Sequence, residues 1–316
     1  MDTDPRPASS MLDAIGNTPV VQLNRVVPEG VGRVFVKLEY FNPTGSYKDR
    51  MAKTIVQGAE RRGSLKPGMT VVEASGGSTG SSLAFVCAVR GYGFHVVSSN
   101  AFAQEKLRTI AAFGATVDLI DSPSGKITAD LIPSMIARAR ELGATDGYLF
   151  SDQFNNCDSL AGYETIGQEL LAQFPDGITA FCGAVGIGGM LIGVARALKG
   201  VDPATRIVLL EPASSPVVTQ GHAGTHHVEG IGIGFMPPLL REHPIYDEAR
   251  GISEAEARAM CRRLASEEGI FAGTSTGLNV VAAIELAKEL GPAATVVTVA
   301  CDSGLKYTAG TLFDRL

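Results

Sequence analysis

Short β-rich apolar runs alternate with helical patterns along nearly the whole chain, and that order requires parallel sheets covered by helices, an α/β fold. The runs predict strands over 70–73, 94–98, 116–120, 178–182, 206–211 and 295–300. Helices are expected near 49–61, 79–90, 103–113, 129–142, 163–172 and 189–198, and Ser253 with Glu256 has the spacing of a capping box that opens a later one. No repeat, heptad run or low-complexity tract interrupts this rhythm, so solenoid and coiled-coil folds are set aside. The polar stretch SDQFNN does interrupt it, within residues 147–156, and marks a break between two lobes. A ligand cleft is expected between the lobes.

Charge narrows the class of partner. The 316 residues carry a net charge of −6, and no basic cluster is longer than Arg61-Arg62 or Arg262-Arg263, which argues against nucleic acid. No apolar run reaches the roughly 18 residues of a membrane span, and MDTDPRPASS lacks the basic-then-apolar order of a secretory signal. A cytoplasmic protein is expected. Cysteines 87, 157, 182, 261 and 301 show no C-x-x-C spacing and read as reduced, mostly buried thiols. His226 and His227 are adjacent and point apart, with no third ligand spaced to join them, so no metal site is expected.

The 37 glycines concentrate the chemistry in a few turns. NPTGSYKDR, residues 42–50, sets Lys48 just before an amphipathic helix, where the helix N-terminus disfavours the protonated amine and suits Schiff-base chemistry. On these residues alone, a solvated surface lysine is much the commoner reading of a -KDR- stretch. EASGGSTG, residues 73–80, lies between strand and helix. Its glycines let backbone N–H groups approach an anion such as a carboxylate, while Ser75, Ser78 and Thr79 either add donors or merely cap the helix. GAVGIGGM, residues 183–190, is a second strand-to-helix turn able to cradle a phosphate on main-chain donors. With Glu211 about 20 residues further on, it imitates a dinucleotide fingerprint, but Leu191 stands where the third glycine belongs. ACDSG, residues 300–304, ends an apolar strand, where Ser303 can serve a ring nitrogen or cap the last helix.

In this order and at these separations the segments resemble the fold-type II pyridoxal-phosphate enzymes, specifically the cysteine synthase and cystathionine β-synthase group. The likeness runs through IGNTPVVQLNRV, NPTGSYKDRMA, EASGGSTGSSLA, DQF, VGIGGMLIGVARALKG, VEGIGIGF, EEGIFAGTSTG and CDSGLKYTAGTLF, nearly the whole chain. It implies a two-domain, tryptophan synthase β-like fold, a larger cofactor-binding domain of residues 1–40 and 151–316 and a smaller, mobile substrate-binding domain of residues 41–150, with the active site in the interdomain cleft, pyridoxal 5'-phosphate as cofactor, a small amino acid as substrate and a homodimer. By the same resemblance Lys48 carries the cofactor as a Schiff base and later moves the α-proton. Ser75, Gly76, Gly77, Ser78 and Thr79 grip the substrate carboxylate, helped by Gln153. Gly186, Ile187, Gly188, Gly189 and Met190 hold the cofactor phosphate, Ser303 faces the pyridine nitrogen, and Gly230 lies beside the cofactor at the cleft.

A neutral hydroxyl at the ring nitrogen makes a milder electron sink than an aspartate would, which suits β-replacement or β-elimination through an aminoacrylate. The implied reaction joins a β-activated serine, such as O-acetylserine, to sulfide or another nucleophile. A serine or threonine dehydratase-like or cysteine-degrading lyase shares the fold and the lysine, and a catalytically silent, partner-binding paralogue would keep the fold alone. Three positions depart from the group's pattern. Ser78, also implied as a cofactor-binding residue, stands where an asparagine that hydrogen-bonds the cofactor's ring oxygen is usual, and Ile187 and Met190 replace two threonines, leaving main-chain N–H groups to bind the phosphate. They mark a specialised paralogue.

Overall fold

The computed structural model describes residues 7–102, 104–125, 128 and 130–314. Two sheets organise them. The strands are β1 (Val20–Gln22), β2 (Arg33–Leu38), β3 (Thr70–Ala74), β4 (Gly93–Ser99), β5 (Thr116–Ile120), β6 (Tyr148–Phe150), β7 (Ala180–Ala184), β8 (Arg206–Pro212), β9 (Glu248–Ile252) and β10 (Thr295–Ala300). The larger sheet runs β1-β2-β10-β7-β8-β9 and the smaller β5-β4-β3-β6. All pairings are parallel except that of β1 with β2. The architecture is the expected one of parallel sheets flanked by helices.

The helices are α1 (Lys48–Arg61), α2 (Ser78–Arg90), α3 (Gln104–Ala112), α4 (Leu131–Gly143), α5 (Asp158–Gln173), α6 (Gly189–Val201), α7 (Val217–Gln220), α8 (Pro238–Glu242), α9 (Glu254–Arg263) and α10 (Thr274–Leu290). Ser253 caps α9 by accepting from the Glu256 N–H. Ala103 and Ala129, where the sequence starts two helices, lie outside the described residues. Helix α5 begins at Asp158 rather than at residue 163, because the Asn156 side chain accepts from the Asp158 N–H and starts the helix inside what reads as a polar linker. Strand β7 runs through Ala184, so Gly183 belongs to the strand rather than to the turn after it.

Strand β2 escapes a reading by apolar runs because RVFVKL carries a fully buried lysine, Lys37, one residue before its end. Lys37 lies 2.6 Å from Glu169, and Glu169 also receives Arg50 at 2.6 Å. Arg50 makes two 2.8 Å bonds to the buried Glu39 carboxylate, which Thr18 and Asn42 further satisfy. The charges are tolerated inside because each is paired and hydrogen-bonded. This network fixes the first turn of α1 between the larger sheet and α5.

Apolar packing does the rest. One cluster joins β2, β7, β8 and β10 to α10; another joins the opposite face of that sheet to α5 and α6. A third packs β3 and β4 against α1 and α2. Apart from β1 the strands of each sheet are parallel, so their carboxyl ends share an edge, and the loops after β3, β6, β7 and β10 emerge there.

Candidate active site

The turn before α1 is stitched to the end of β10. The Tyr47 N–H donates to the Cys301 carbonyl at 3.2 Å, Ser46 bridges Asp302, and the Ser303 N–H donates to the Gly45 carbonyl at 3.0 Å. Lys48 is thereby held at the carboxyl edge of the larger sheet. Its Nζ donates to the Tyr163 hydroxyl at 3.1 Å and sits 5.0 Å from the Tyr47 ring centroid. The Tyr163 hydroxyl in turn donates a hydrogen bond to the Met51 sulfur at 2.8 Å. No carboxylate among the described residues forms an ion pair with Lys48, and burial draws its pKa down to about 8, against the opposing pull of Cys301 and Asp302.

Tyr163 connects this amine to the glycine turn after β7. The ring packs against Gly189, where an added Cβ would stand 2.9 Å from a ring carbon. In the turn itself, Gly188 has a left-handed backbone (φ 86°), and a Cβ on Gly186 would collide with the Gly230 carbonyl oxygen. The Ile187 and Met190 side chains turn into the core beside Phe181 and Leu191. The main-chain N–H groups of Ile187, Gly188, Gly189 and Met190 meet no acceptor among the described residues at the start of α6. Such a row of donors, with backbone approach secured by glycine, fits a phosphate.

The turn after β3 is arranged differently from a row of free hydroxyls. The Ser75 Oγ accepts from the N–H groups of Gly77 at 3.2 Å and Gly80 at 2.9 Å, so it braces the loop. The Thr79 hydroxyl donates to Gln153 Oε1 at 2.9 Å, and Gln153 Nε2 donates to the Ala74 carbonyl at 2.9 Å. Gln153 therefore fastens the loop instead of standing free. Behind it, buried Glu73 accepts from the Ser151 hydroxyl and from the Gln153 N–H, and burial pushes its pKa up to about 7. What the turn leaves open is backbone: the N–H groups of Gly76, Ser78 and Thr79 have no acceptor among the described residues. They form an anion cradle at the α2 N-terminus.

Ser303 caps the short 3-10 helix Gly304–Tyr307 by accepting from the Leu305 N–H at 3.2 Å. Accepting there leaves its proton available, so capping and donation are compatible. Contacts thus gather Lys48, the loop 75–79, Gln153, the loop 186–190, Gly230 and Ser303 into one region. Sequence reasoning missed Tyr163, hidden inside α5 as one more buried aromatic; its spacing from Lys48 gives no signal. It also missed Lys106, which reaches from α3 to pair with Glu229, next to Gly230, with its ammonium 4.9 Å from the Tyr307 ring centroid.

Residues 11–302 match the pyridoxal-phosphate dependent enzyme family. The chain belongs to that family. It is 42% identical to a cysteine synthase of Staphylococcus aureus (strain Mu50 / ATCC 700699), covering 98% of each chain. Among solved structures it resembles O-ureido-L-serine synthase, with TM-score 0.92, 35% identity and coverage of 98% of this chain and 96% of that one. O-acetyl serine sulfhydrylase isoform 3 of Entamoeba histolytica superposes with TM-score 0.92 at 31% identity, over 99% of this chain and 94% of that one. The protein is a fold-type II enzyme dependent on pyridoxal phosphate, and the half-buried Lys48 amine, the phosphate-sized row of N–H donors and the close Gly186–Gly230 approach fit that cofactor. Among the described residues no helix is long and apolar enough to cross a membrane.

Proposed function

We propose that Lys48 is the cofactor-bearing lysine of a pyridoxal-phosphate-dependent β-replacement enzyme of the cysteine synthase type. One observation carries the assignment: a lysine amine with a depressed pKa, tied to a tyrosine hydroxyl and to no carboxylate, between two glycine turns at strand carboxyl ends. Full-length likeness to cysteine synthases supports replacement at the β-carbon of a β-activated serine, with sulfide or another nucleophile as the incoming group. Cytoplasmic location and a homodimer belong to the same proposal and rest on the resemblance alone.

When bound, pyridoxal phosphate supplies an aldehyde that condenses with amines and a conjugated ring that draws electrons from the α-carbon. Lys48 would hold the cofactor through Nζ, and in its neutral form the same Nζ has the lone pair that would accept the substrate's α-proton. Tyr163 holds the amine in place between these tasks. The N–H groups of Ile187 to Met190 hold the phosphate, and Gly186 and Gly230 line its path. The N–H groups of Gly76, Ser78 and Thr79 hold the substrate carboxylate, in a loop kept in shape by Ser75 and Gln153. Ser303 offers the ring nitrogen a neutral hydroxyl.

Lys48→Ala tests the assignment. The variant should lose both the visible absorbance of the wild-type holoenzyme and its turnover, while far-ultraviolet circular dichroism stays unchanged. A variant as yellow and as active as the wild type would refute it. Sulfide incorporation measured against keto acid release with O-acetylserine then separates replacement from elimination.

A further inference from the structure

Lys306 stands in the site, and none of the roles above uses it. It belongs to the 3-10 helix that Ser303 caps, and its stem runs below the turn before α1, where a Cβ on Gly45 would lie 3.8 Å from the Lys306 Cε. From there its Nζ crosses to the other sheet's loop and donates to the Ser78 Oγ at 3.0 Å. Among the described residues it forms no ion pair, whereas its neighbour Lys106 is matched by Glu229. Asp302 and Asp49 act on it at longer range, and burial draws its pKa down.

A hydroxyl has one proton and two lone pairs. With Lys306 donating to its oxygen, the Ser78 proton must go elsewhere, so Ser78 becomes a donor polarised by a cation. It stands at the first position of α2, beside the open N–H groups of Gly76, Ser78 and Thr79. Donor proton, main-chain N–H groups and ammonium therefore favour the same kind of guest, a carboxylate oxygen.

We propose that Lys306 is a positioning residue for the substrate α-carboxylate, acting through Ser78 and adding charge to a cradle otherwise built from backbone. The inference rests on the proposed function of the site.

The test uses the pyridoxal-phosphate-loaded enzyme and the variants Lys306→Met, Lys306→Arg and Ser78→Ala. Spectral titration measures affinity for L-serine and for ethanolamine, which is serine without its carboxylate. Lys306→Met should weaken L-serine roughly 10- to 100-fold, the scale of one charge-assisted hydrogen bond. Ethanolamine should bind as before, Lys306→Arg should recover most of the loss, and adding Ser78→Ala to Lys306→Met should weaken L-serine little further. Equal weakening of both ligands, or unchanged affinity for L-serine, overturns the proposal. So does a Lys306→Met protein that no longer takes up pyridoxal phosphate, since Lys306 would then serve the cofactor. Loss of the visible band in Lys48→Ala is a separate result, so the failure of either reading can be told from failure of the other.

Discussion

Lys48 donates to the hydroxyl of Tyr163 across 3.1 Å, and Tyr163 in turn donates to a methionine sulfur, so the amine is held in place without a counter-charge. The arrangement keeps the proton easy to remove. With the pKa drawn down to about 8, roughly a tenth of Lys48 is neutral at pH 7 and half at pH 8. Only the neutral amine attacks an aldehyde. The rate at which cofactor-free protein develops its visible band on adding pyridoxal phosphate should therefore rise about tenfold from pH 7 to a plateau above pH 8, as followed by stopped-flow absorbance. A rate that kept rising toward pH 10 would mean that burial does not depress this amine.

The tyrosine contributes with a definite sign. By accepting from Lys48 it stabilises the charged form, so Tyr163→Phe should move the midpoint of that same titration below 8. The packing of the ring against Gly189 is retained in phenylalanine, so cofactor affinity should change less than the midpoint does. A midpoint that shifts upward would contradict the hydrogen bond as described.

The charge network behind α1 predicts acid behaviour. Against the upward pull of burial, Arg50 and Lys37 hold Glu169 down to about 2, below its ordinary 4.5. Between those values the unfolded chain binds the proton and the folded one does not, so stability falls as pH drops through that window. The full loss is about 3 kcal/mol. Arg50→Met should cost about 3–5 kcal/mol at neutral pH, because it leaves Glu39 buried without its guanidinium. It should also flatten the acid limb, and urea unfolding at pH 7 and pH 3.5 measures both effects.

Legibility from sequence followed the physics of each element. Strands β3, β4, β8 and β10 are apolar runs between turns, and period and composition reveal them. Strand β2 is obscured by Lys37, whose partner Glu169 is more than a hundred residues away and invisible to local pattern. The glycine turns were legible because anion binding needs backbone conformations that few residues adopt. The division of labour inside them was not. Ser75 and Thr79 read alike as hydroxyl donors, yet one accepts from the loop's own N–H groups and the other donates to Gln153, a difference set by tertiary contacts. Lys306 lies within the recognisable segment CDSGLKYTAGTLF, yet its role is invisible there, since only folding brings it to Ser78.

Gly186 offers a last and sharper check on the phosphate loop. Its α-carbon faces the Gly230 carbonyl so closely that an added methyl would overlap the oxygen, and neither the methyl, fixed to the α-carbon, nor the backbone carbonyl can swing aside as a flexible side chain would. Gly186→Ala must therefore push the turn 186–190 away from residue 230 while leaving the buried strand β7 and helix α6 on either side in place. Since the cofactor phosphate is assigned to main-chain donors here, a displacement of this kind misaligns them together. Pyridoxal phosphate affinity, measured by equilibrium dialysis of the cofactor-free protein, should fall at least about tenfold, the equivalent of one or two weakened hydrogen bonds. Circular dichroism should stay native. Unchanged affinity in a folded Gly186→Ala protein would move the phosphate away from this turn.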